Sequence, residues 1–178
     1  MIEIDVSPIA FLNVRWYGIM VALAIIVLIL WTLWQVKKGA RVSNDTVFTA
    51  ALVGIPSGII FSRLLHVVDL WDYYFQNPDK IIGGGGLAIY GAVLGAALGI
   101  WIYSRFSKMK YGYFTDVIAP GIVLAQIIGR VGCTINGCCY GTECSLPWGI
   151  VYTNPDSVGF GSGVVHPTQV YEIIYLLI

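Results

Sequence analysis

Long apolar runs alternate along the chain with shorter polar breaks. The runs cover residues 17–36, 46–68, about 87–103 and about 114–130, and a fifth begins near Thr168 and is still apolar at Ile178. An apolar run of about 20 residues is long enough for a helix to cross the hydrocarbon core of a bilayer. The pattern predicts an all-α, polytopic membrane helical bundle with about five spans. Because neither a charge nor a helix cap follows the fifth run, we expect further helices in the complete protein.

The polar breaks predict the orientation of the chain. Six of the ten basic residues follow the first or the third run, namely Lys37, Lys38, Arg41, Arg105, Lys108 and Lys110. Basic loops are retained on the cytoplasmic side. We therefore expect a single membrane domain over residues 1–178 whose N-terminus, interfacial segment at 69–84 and loop at 136–167 face outward. In a bacterium that side of the inner membrane is the periplasm.

Composition agrees with a membrane location. Hydrophobic residues make up 57% of the chain and charged residues 11%, whereas soluble domains carry about 25% charged residues. The formal net charge of zero argues against a nucleic-acid partner. Glu3 and Asp5 stand where a cleavable signal peptide would be basic, so the first run is expected to stay in the membrane.

Local signals predict helix contacts, starts and interruptions. Ser43 precedes the second run as a candidate helix cap. Pro56 and Pro120 interrupt the second and fourth runs and predict kinks or broken helices. Small residues at a spacing of four let helix backbones approach closely in lipid; such ridges are Gly54 with Gly58, and Gly91 with Gly95 and Gly99.

Arg130 is the leading candidate for function. A guanidinium at the bilayer centre costs roughly 2.5–3.5 kcal/mol on insertion scales, so a chain retains one there for water, a carboxylate or an anionic ligand. Arginine binds phosphate in a bidentate manner. Gly129 and Gly132 leave room beside Arg130 for a ligand, and Asn136 could add an amide donor.

Other polar residues have two readings that the sequence leaves open. Arg63 is either paired with a carboxylate or a second clamp on an anion. His66 and His166 are either interfacial structural residues or proton carriers, and Tyr90 is an interfacial aromatic residue by default. Asp116 is either a carboxylate that interacts with the positive end of a helix dipole near the helix start or a functional residue. The glycines at 83–86 could form an anion nest, although a flexible helix entry is the default reading.

Four cysteines lie close together at positions 133, 138, 139 and 144. For an outward loop, a disulfide from Cys144 to Cys138 or Cys139 is the leading interpretation, and Cys133 could be a small buried residue. Zinc is less favoured because the spacing is irregular and few other ligands lie nearby. We therefore predict no metal site and no cofactor.

Several motifs, in order along nearly the whole chain, resemble those of the bacterial prolipoprotein diacylglyceryl transferases. They are Trp16-Tyr17-Gly18, Ser62-Arg63-Leu64, the glycine-rich segment 85–91, Asp116-Val117-Ile118-Ala119-Pro120, the segment 129–141, and the segment 166–172, which reads His-Pro-Thr-Gln-Val-Tyr-Glu. The resemblance implies transfer of a diacylglyceryl group from phosphatidylglycerol to the lipobox cysteine thiol of a prolipoprotein signal peptide, in the bacterial inner membrane. A thioether forms and glycerol phosphate leaves.

The resemblance also implies roles for individual residues. Arg130 would hold the lipid phosphate, and Asn136 and Gly141 would shape the site. Tyr17 and Arg63 would line the lipid pocket. The nucleophilic thiol would come from the peptide, so the cysteines of this chain need not be nucleophiles.

Departures from the family pattern leave alternatives open. Tyr90 replaces a typical histidine of the family, and a tyrosine with an ordinary pKa near 10 is a poor base at neutral pH. The general base could then be His66 or His166, or the protein could bind phospholipid without catalysis, as a binding or transporter-like protein. The family also carries a further essential arginine in a more C-terminal part, so we expect this chain to be a C-terminally truncated, divergent member that is inactive without the rest of the protein. A thiol redox protein using Cys138 and Cys139 is a third reading, weakened by the missing CxxC spacing.

Overall fold

The computed structural model describes residues 1–12, 14–81 and 88–178. Its helices are α1 (Trp16–Lys37), α2 (Asn44–Asp69), α3 (Trp71–Gln76), α4 (Ile89–Phe106), α5 (Tyr111–Asn136) and α6 (Thr168–Leu177), with a 3-10 turn at Pro78–Lys80. In the described residues, α1, α2, α4 and α5 are long and apolar enough to cross a membrane. The predicted all-α, polytopic class is confirmed, and the chain is a multi-pass membrane protein.

The end of α5 differs from the end of the fourth apolar run, and the start of α6 agrees with the start of the fifth. The fourth apolar run ends at Arg130, but α5 continues to Asn136, so Arg130 lies inside the helix and not at its end. The helix α6 begins at Thr168, where the fifth run was predicted to start, and comprises ten residues. The predicted interfacial segment contains α3 and the 3-10 turn, while its residues 82–84 and the glycines at 83–86 lie outside the described part of the chain.

The residues pack into two compact units, which are described separately. Unit 1 comprises Met1–Thr32 and Ile118–Ile178, and unit 2 comprises Leu33–Val117. The prediction of a single membrane domain over the whole chain stays a prediction.

Unit 2 is built on close packing of α2 against α4. A Cβ atom added at Gly95 would lie 2.7 Å from the carbonyl oxygen of Ser57, and one at Gly58 would lie 3.0 Å from the carbonyl oxygen of Ala92. The Ser57 hydroxyl donates to the carbonyl oxygen of Gly95 over 2.7 Å. The predicted glycine ridges therefore form a helix–helix contact, because only hydrogen atoms separate the two backbones there.

The predicted cap of α2 is also present. The Ser43 hydroxyl accepts a hydrogen bond from the backbone N–H of Thr46 over 3.1 Å, which satisfies one of the unpaired donors at the helix start. Pro56 and Pro120 lie inside α2 and α5, each of which is assigned as one uninterrupted helix.

Unit 1 contains short strands that the apolar pattern did not reveal. Strand β1 (Ile2–Ile4) pairs in parallel with β4 (Ile150–Tyr152), and β2 (Ile9–Phe11) pairs antiparallel with β3 (Val14–Arg15). Ile150, Tyr152 and Val165 form a small buried cluster with Ile4 and Tyr140 packed against it. The long loop between α5 and α6 is therefore anchored by a small core that it shares with β1.

Candidate functional site

An ion pair between α5 and α6 holds the leading candidate residue. Nη2 of Arg130 lies 2.6 Å from Oε2 of Glu172, and both side chains are about a quarter exposed (25% and 28%). Gln126, one turn before Arg130 on α5, donates from Nε2 to Oε1 of Glu172 over 2.6 Å. The carboxylate thus accepts from two α5 side chains, which orients the guanidinium while leaving part of it open to an incoming anion.

The end of α5 is tied to the N-terminal segment. Nη1 of Arg15 donates to Oδ1 of Asn136 over 3.1 Å, and Asn136 is buried, with 8% of its surface exposed. Sequence analysis selected Asn136 but not Arg15, which stands before the first apolar run and carries no motif. Their contact adds a second guanidinium to the region at the end of α5.

A glycine at the end of α5 brings three cysteines together. Gly137 has φ of +71°, and the backbone N–H of Cys138 donates to the carbonyl oxygen of Cys133 over 3.1 Å. This arrangement is a Schellman motif, in which a left-handed residue reverses the chain at a helix end. The reversal places the sulfur atoms of Cys133, Cys138 and Cys139 within 4.8 Å of one another. We call these three residues the thiol cluster.

The thiol cluster lies within electrostatic reach of two predicted site residues, Arg130 and Tyr17. Hydrogen bonding from Cys133 lowers the pKa of the Cys138 thiol to about 6, against an opposing effect of burial. Cys133 is buried, whereas Cys139 is exposed. The cluster is therefore open on one side. Its spacing, Cys-x4-Cys-Cys with a glycine before the pair, is the signal that sequence analysis did not use.

The start of α6 caps the turn that carries the thiol cluster. The Thr168 hydroxyl donates to the carbonyl oxygen of Cys139 over 2.7 Å, and Nε2 of Gln169 donates to that of Cys138 over 2.7 Å. Gln169 is completely buried and its Nε2 also lies 3.2 Å from the hydroxyl of Tyr152. These bonds fix the turn against α6 and hence against Glu172, one turn further on.

Gly141 and His166, two predicted site residues, are in direct contact. The N–H of Gly141 donates to the carbonyl oxygen of His166 over 2.9 Å, and a Cβ atom at Gly141 would lie 2.9 Å from that of His166. Nδ1 of His166 is 3.2 Å from the hydroxyl of Tyr171, which also accepts from Nε1 of Trp148 over 2.9 Å. His166 thus has a defined ring position near the start of α6.

The packing of α1 on α5 places Tyr17 in the same unit. A Cβ atom at Gly132 would lie 2.9 Å from Cβ of Met20 and 3.6 Å from Cα of Tyr17. Gly132 therefore permits close contact with α1, and Tyr17 retains 39% of its surface exposed. Unit 1 brings together five predicted residues, which are Arg130, Asn136, Gly141, Tyr17 and His166.

Three other predicted residues, Arg63, His66 and Tyr90, belong to unit 2. Arg63 donates from Nε to the carbonyl oxygen of Ile81 over 2.9 Å and stacks over the ring of Tyr74 at 5.1 Å. The ring of His66 meets Tyr74 edge to face at 5.9 Å. Arg63 thus holds the 3-10 segment and belongs to a cluster around Tyr74. Tyr90, in the first turn of α4, is 76% exposed.

All four cysteines are free thiols in the structure. Cys144 is not a member of the thiol cluster, and its sulfur packs against Gly149, where an added Cβ atom would lie 3.0 Å away. The disulfide from Cys144 to Cys138 or Cys139 stays a prediction.

Comparison with known proteins agrees with these motifs. The profile of the prolipoprotein diacylglyceryl transferase family matches residues 6–178. A phosphatidylglycerol–prolipoprotein diacylglyceryl transferase of Dehalococcoides mccartyi is 56% identical over 99% of this chain and 70% of its own length. A protein of the same name from Clostridioides difficile is 39% identical over 92% of this chain and 63% of its own length. The chain belongs to the prolipoprotein diacylglyceryl transferase family, and it is a transferase of the membrane.

Proposed function

We propose that this protein transfers the diacylglyceryl group of phosphatidylglycerol to the lipobox cysteine of a prolipoprotein signal peptide. The cysteine sulfur attacks the glyceryl carbon that carries the phosphate ester. A carbon–sulfur bond forms as the carbon–oxygen bond breaks, and the electron pair leaves with glycerol phosphate. The thiol proton passes to a base. The family match together with the Arg130–Glu172 pair supports this function.

Arg130 is the proposed phosphate clamp. Charge develops on the phosphate oxygen as the ester bond breaks, and a preorganised cation lowers the energy of that state. The guanidinium is already fixed by Glu172, and about a quarter of the Arg130 side chain remains exposed. One face of the guanidinium can therefore bind a phosphate while the other keeps its carboxylate partner.

Other residues of unit 1 have supporting roles in this proposal. Asn136 and its partner Arg15 add polar groups at the end of α5, and Gly141 gives the close approach to His166. Tyr17 offers an exposed aromatic ring to the lipid. His166 is the preferred candidate for the base in unit 1, because the hydroxyl of Tyr171 fixes its ring. In unit 2, Arg63 is proposed to contact lipid, and His66 and Tyr90 are the other candidates for the base.

We propose further that the basic loops face the cytoplasm and that the N-terminus faces outward across the bacterial inner membrane. Within unit 2, Arg41, Lys108 and Lys110 line one cavity of about 440 Å³, so two basic loops lie at the same end of that unit. This clustering supports the positive-inside assignment. Labelling of a Lys108→Cys variant, in which the four native cysteines are replaced by serine, with a membrane-impermeant thiol reagent in intact cells tests it, and efficient labelling from outside would reverse the orientation.

The experiment that tests the activity uses Arg130 variants in vesicles containing phosphatidylglycerol and a lipobox peptide. Mass spectrometry follows the diacylglyceryl thioether. Arg130→Ala is expected to reduce transfer by about 10²–10³-fold, as for other removed anion donors, and Arg130→Lys to recover only part, since lysine lacks the bidentate geometry. Arg105→Ala is the control, because Arg105 stacks on Trp101 at 4.6 Å in unit 2. Unchanged thioether formation by Arg130→Ala would refute the proposal.

One observation favours a second candidate function. Tyr90 occupies the position at which the resemblance implies a histidine, and it is largely exposed. A phospholipid-binding protein without catalysis would bind phosphatidylglycerol but yield no thioether. In that case Tyr90→His would be the variant most apt to gain activity.

A further inference from the structure

The thiol cluster provides three potential metal-ligand atoms, and the proposed function assigns them no role. Three sulfur atoms lie within 4.8 Å of one another, and the backbone reversal at Gly137 holds two of their residues together through the Cys138 N–H to Cys133 carbonyl bond. Zinc–sulfur bonds are about 2.3 Å long, which separates tetrahedral ligands by about 3.8 Å. Small side-chain rotations suffice to close the cluster around one ion.

We propose that Cys133, Cys138 and Cys139 bind a thiophilic divalent cation of the zinc type, with the fourth position open to the thiol of the acceptor peptide. The second half of this inference rests on the proposed function. Sequence analysis disfavoured zinc because the spacing is irregular. The Schellman turn removes that objection, since it makes an i, i+5, i+6 set converge.

The exposure of the three sulfurs supports an open position. Cys133 is buried at the base of the cluster, Cys138 is intermediate and Cys139 is exposed. A structural zinc site is closed by four protein ligands, whereas a catalytic one has three and leaves a position for water or substrate. Among the described residues, the cluster offers three ligands and one accessible side.

The charge of the surroundings fits such an ion. Three thiolates and one divalent cation carry a net charge of −1, and Arg130 is within electrostatic reach of Cys133 and Cys139. The carbonyl oxygens of Cys138 and Cys139 are held by Gln169 and Thr168. These hydrogen bonds fix the backbone of two ligands, as partners of metal ligands commonly do.

The ion gives the reaction a source of thiolate. A thiol that coordinates zinc loses its proton outright, and that proton would pass to the base of the proposed function. A bound ion would thus supply the thiolate that attacks the glyceryl carbon, and Arg130 would bind the glycerol phosphate released as the carbon–oxygen bond breaks. Zinc does not change its oxidation state. The thioether product carries no negative charge on sulfur and is displaced by water.

The test is a cobalt titration of the purified, reduced protein in detergent. We expect one Co²⁺ per chain with sulfur-to-metal charge-transfer absorption, and competition by Zn²⁺. Each of Cys133→Ser, Cys138→Ser and Cys139→Ser should weaken binding at least tenfold. Cys144→Ser is the matched control and should bind like the wild type. Absence of the absorption, or equal loss in Cys144→Ser, overturns the metal site. A disulfide between two of these cysteines would also overturn the metal site. It would appear as an intact mass about 2 Da below that of the reduced chain in protein isolated without reductant.

Two further measurements separate this inference from the proposed function. Addition of a lipobox peptide should change the visible cobalt spectrum, whereas the same peptide with serine in place of cysteine should not. Chelation of the metal should reduce thioether formation, and Zn²⁺ should restore it. If the protein binds cobalt but keeps full transfer activity after the metal is chelated, the thiol-activating role is overturned. The transferase function itself would then still stand. Loss of transfer in Arg130→Ala with normal cobalt binding would show that the two sites fail independently.

Discussion

Arg130 of α5 and Glu172 of α6 form an ion pair with 2.6 Å between Nη2 and Oε2. The two residues are distant in sequence, and Gln126 shares the same carboxylate. The pair determines the direction of the guanidinium proposed to bind the lipid phosphate. A change at Glu172 should therefore alter catalysis without touching the substrate.

For Glu172→Gln we expect kcat/KM for thioether formation to fall about tenfold, which corresponds to about 1.4 kcal/mol. The amide can still accept a hydrogen bond, but the charge-assisted contribution of about 1.5–3 kcal/mol is reduced. Steady-state kinetics with phosphatidylglycerol vesicles provide the measurement. The exposed Glu143→Gln serves as control. A Glu172→Gln enzyme with wild-type kcat/KM would contradict an orienting role.

The α2–α4 contact predicts a second result. Gly95→Val should lower the free energy of unfolding by about 1–3 kcal/mol through overpacking, because a Cβ atom there meets the carbonyl oxygen of Ser57 at 2.7 Å. Gly112→Val introduces the same side chain where nothing lies within 4 Å of the added Cβ atom. Thermal unfolding in detergent compares them, and equal midpoints would argue against the tight contact.

The turn after α5 predicts a difference between two glycines. Gly137 and Gly161 both have positive φ, +71° and +79°, so alanine at either costs about 1–2 kcal/mol in backbone strain. A Cβ atom at Gly161 has nothing within 4 Å, whereas one at Gly137 overlaps the hydroxyl of Ser157 and lies 3.0 Å from the N of Gly159. Chemical unfolding should show the larger loss for Gly137→Ala, and similar losses would contradict the steric account.

Gly137→Ala should also separate Cys138 from Cys133. We expect it to weaken cobalt binding, while Gly161→Ala should leave that binding unchanged. This comparison links the backbone turn to the thiol cluster independently of any cysteine substitution.

Tyr152 predicts a pH dependence in the loop core. Burial raises the pKa of its phenol from 10.0 to about 12, because the charged form is disfavoured away from water. The folded state therefore binds this proton more tightly than the unfolded state. The contribution to stability is complete below pH about 10 and is lost as pH rises towards 12. Ultraviolet titration of the wild type against Tyr152→Phe isolates this phenol, and a midpoint near 10 would contradict its burial.

Gln169 predicts a cost for removing a buried polar partner. Its amide donates to the carbonyl oxygen of Cys138 and contacts the hydroxyl of Tyr152. Gln169→Leu should destabilise the fold by about 1 kcal/mol, the lower end of the penalty for leaving a buried acceptor unsatisfied, because leucine also removes the buried Oε1 atom of Gln169, for which no hydrogen bond is found. Unfolding by denaturant measures it, with Val170→Ala, a change at the exposed neighbouring position, as the comparison. A loss no greater than that of the comparison would show that water replaces the amide.

The membrane class, the order of the long helices and the glycine ridges could be predicted from local sequence patterns alone. These features follow from local composition and spacing, since apolar length decides whether a helix can span a bilayer and small residues at a spacing of four align on one face. The cap at Ser43 belongs to the same category, whereas the roles of Arg130 and Asn136 stay predictions. Motif order also sufficed to indicate the family.

Contacts between residues that are distant in sequence depend on how the elements pack, and local patterns did not predict them. Arg130 pairs with Glu172 because α6 packs against α5. Asn136 accepts a hydrogen bond from Arg15 because the N-terminal segment lies at the end of α5. No sequence periodicity relates the members of either pair. The short strands were missed for the same reason, since three-residue strands leave no measurable alternation. The thiol cluster depended on two residues with left-handed backbone conformation, Gly137 with φ of +71° and Cys139 with φ of +62°. A left-handed residue reverses the chain, and that reversal turns an irregular spacing of cysteines into three neighbouring sulfur atoms.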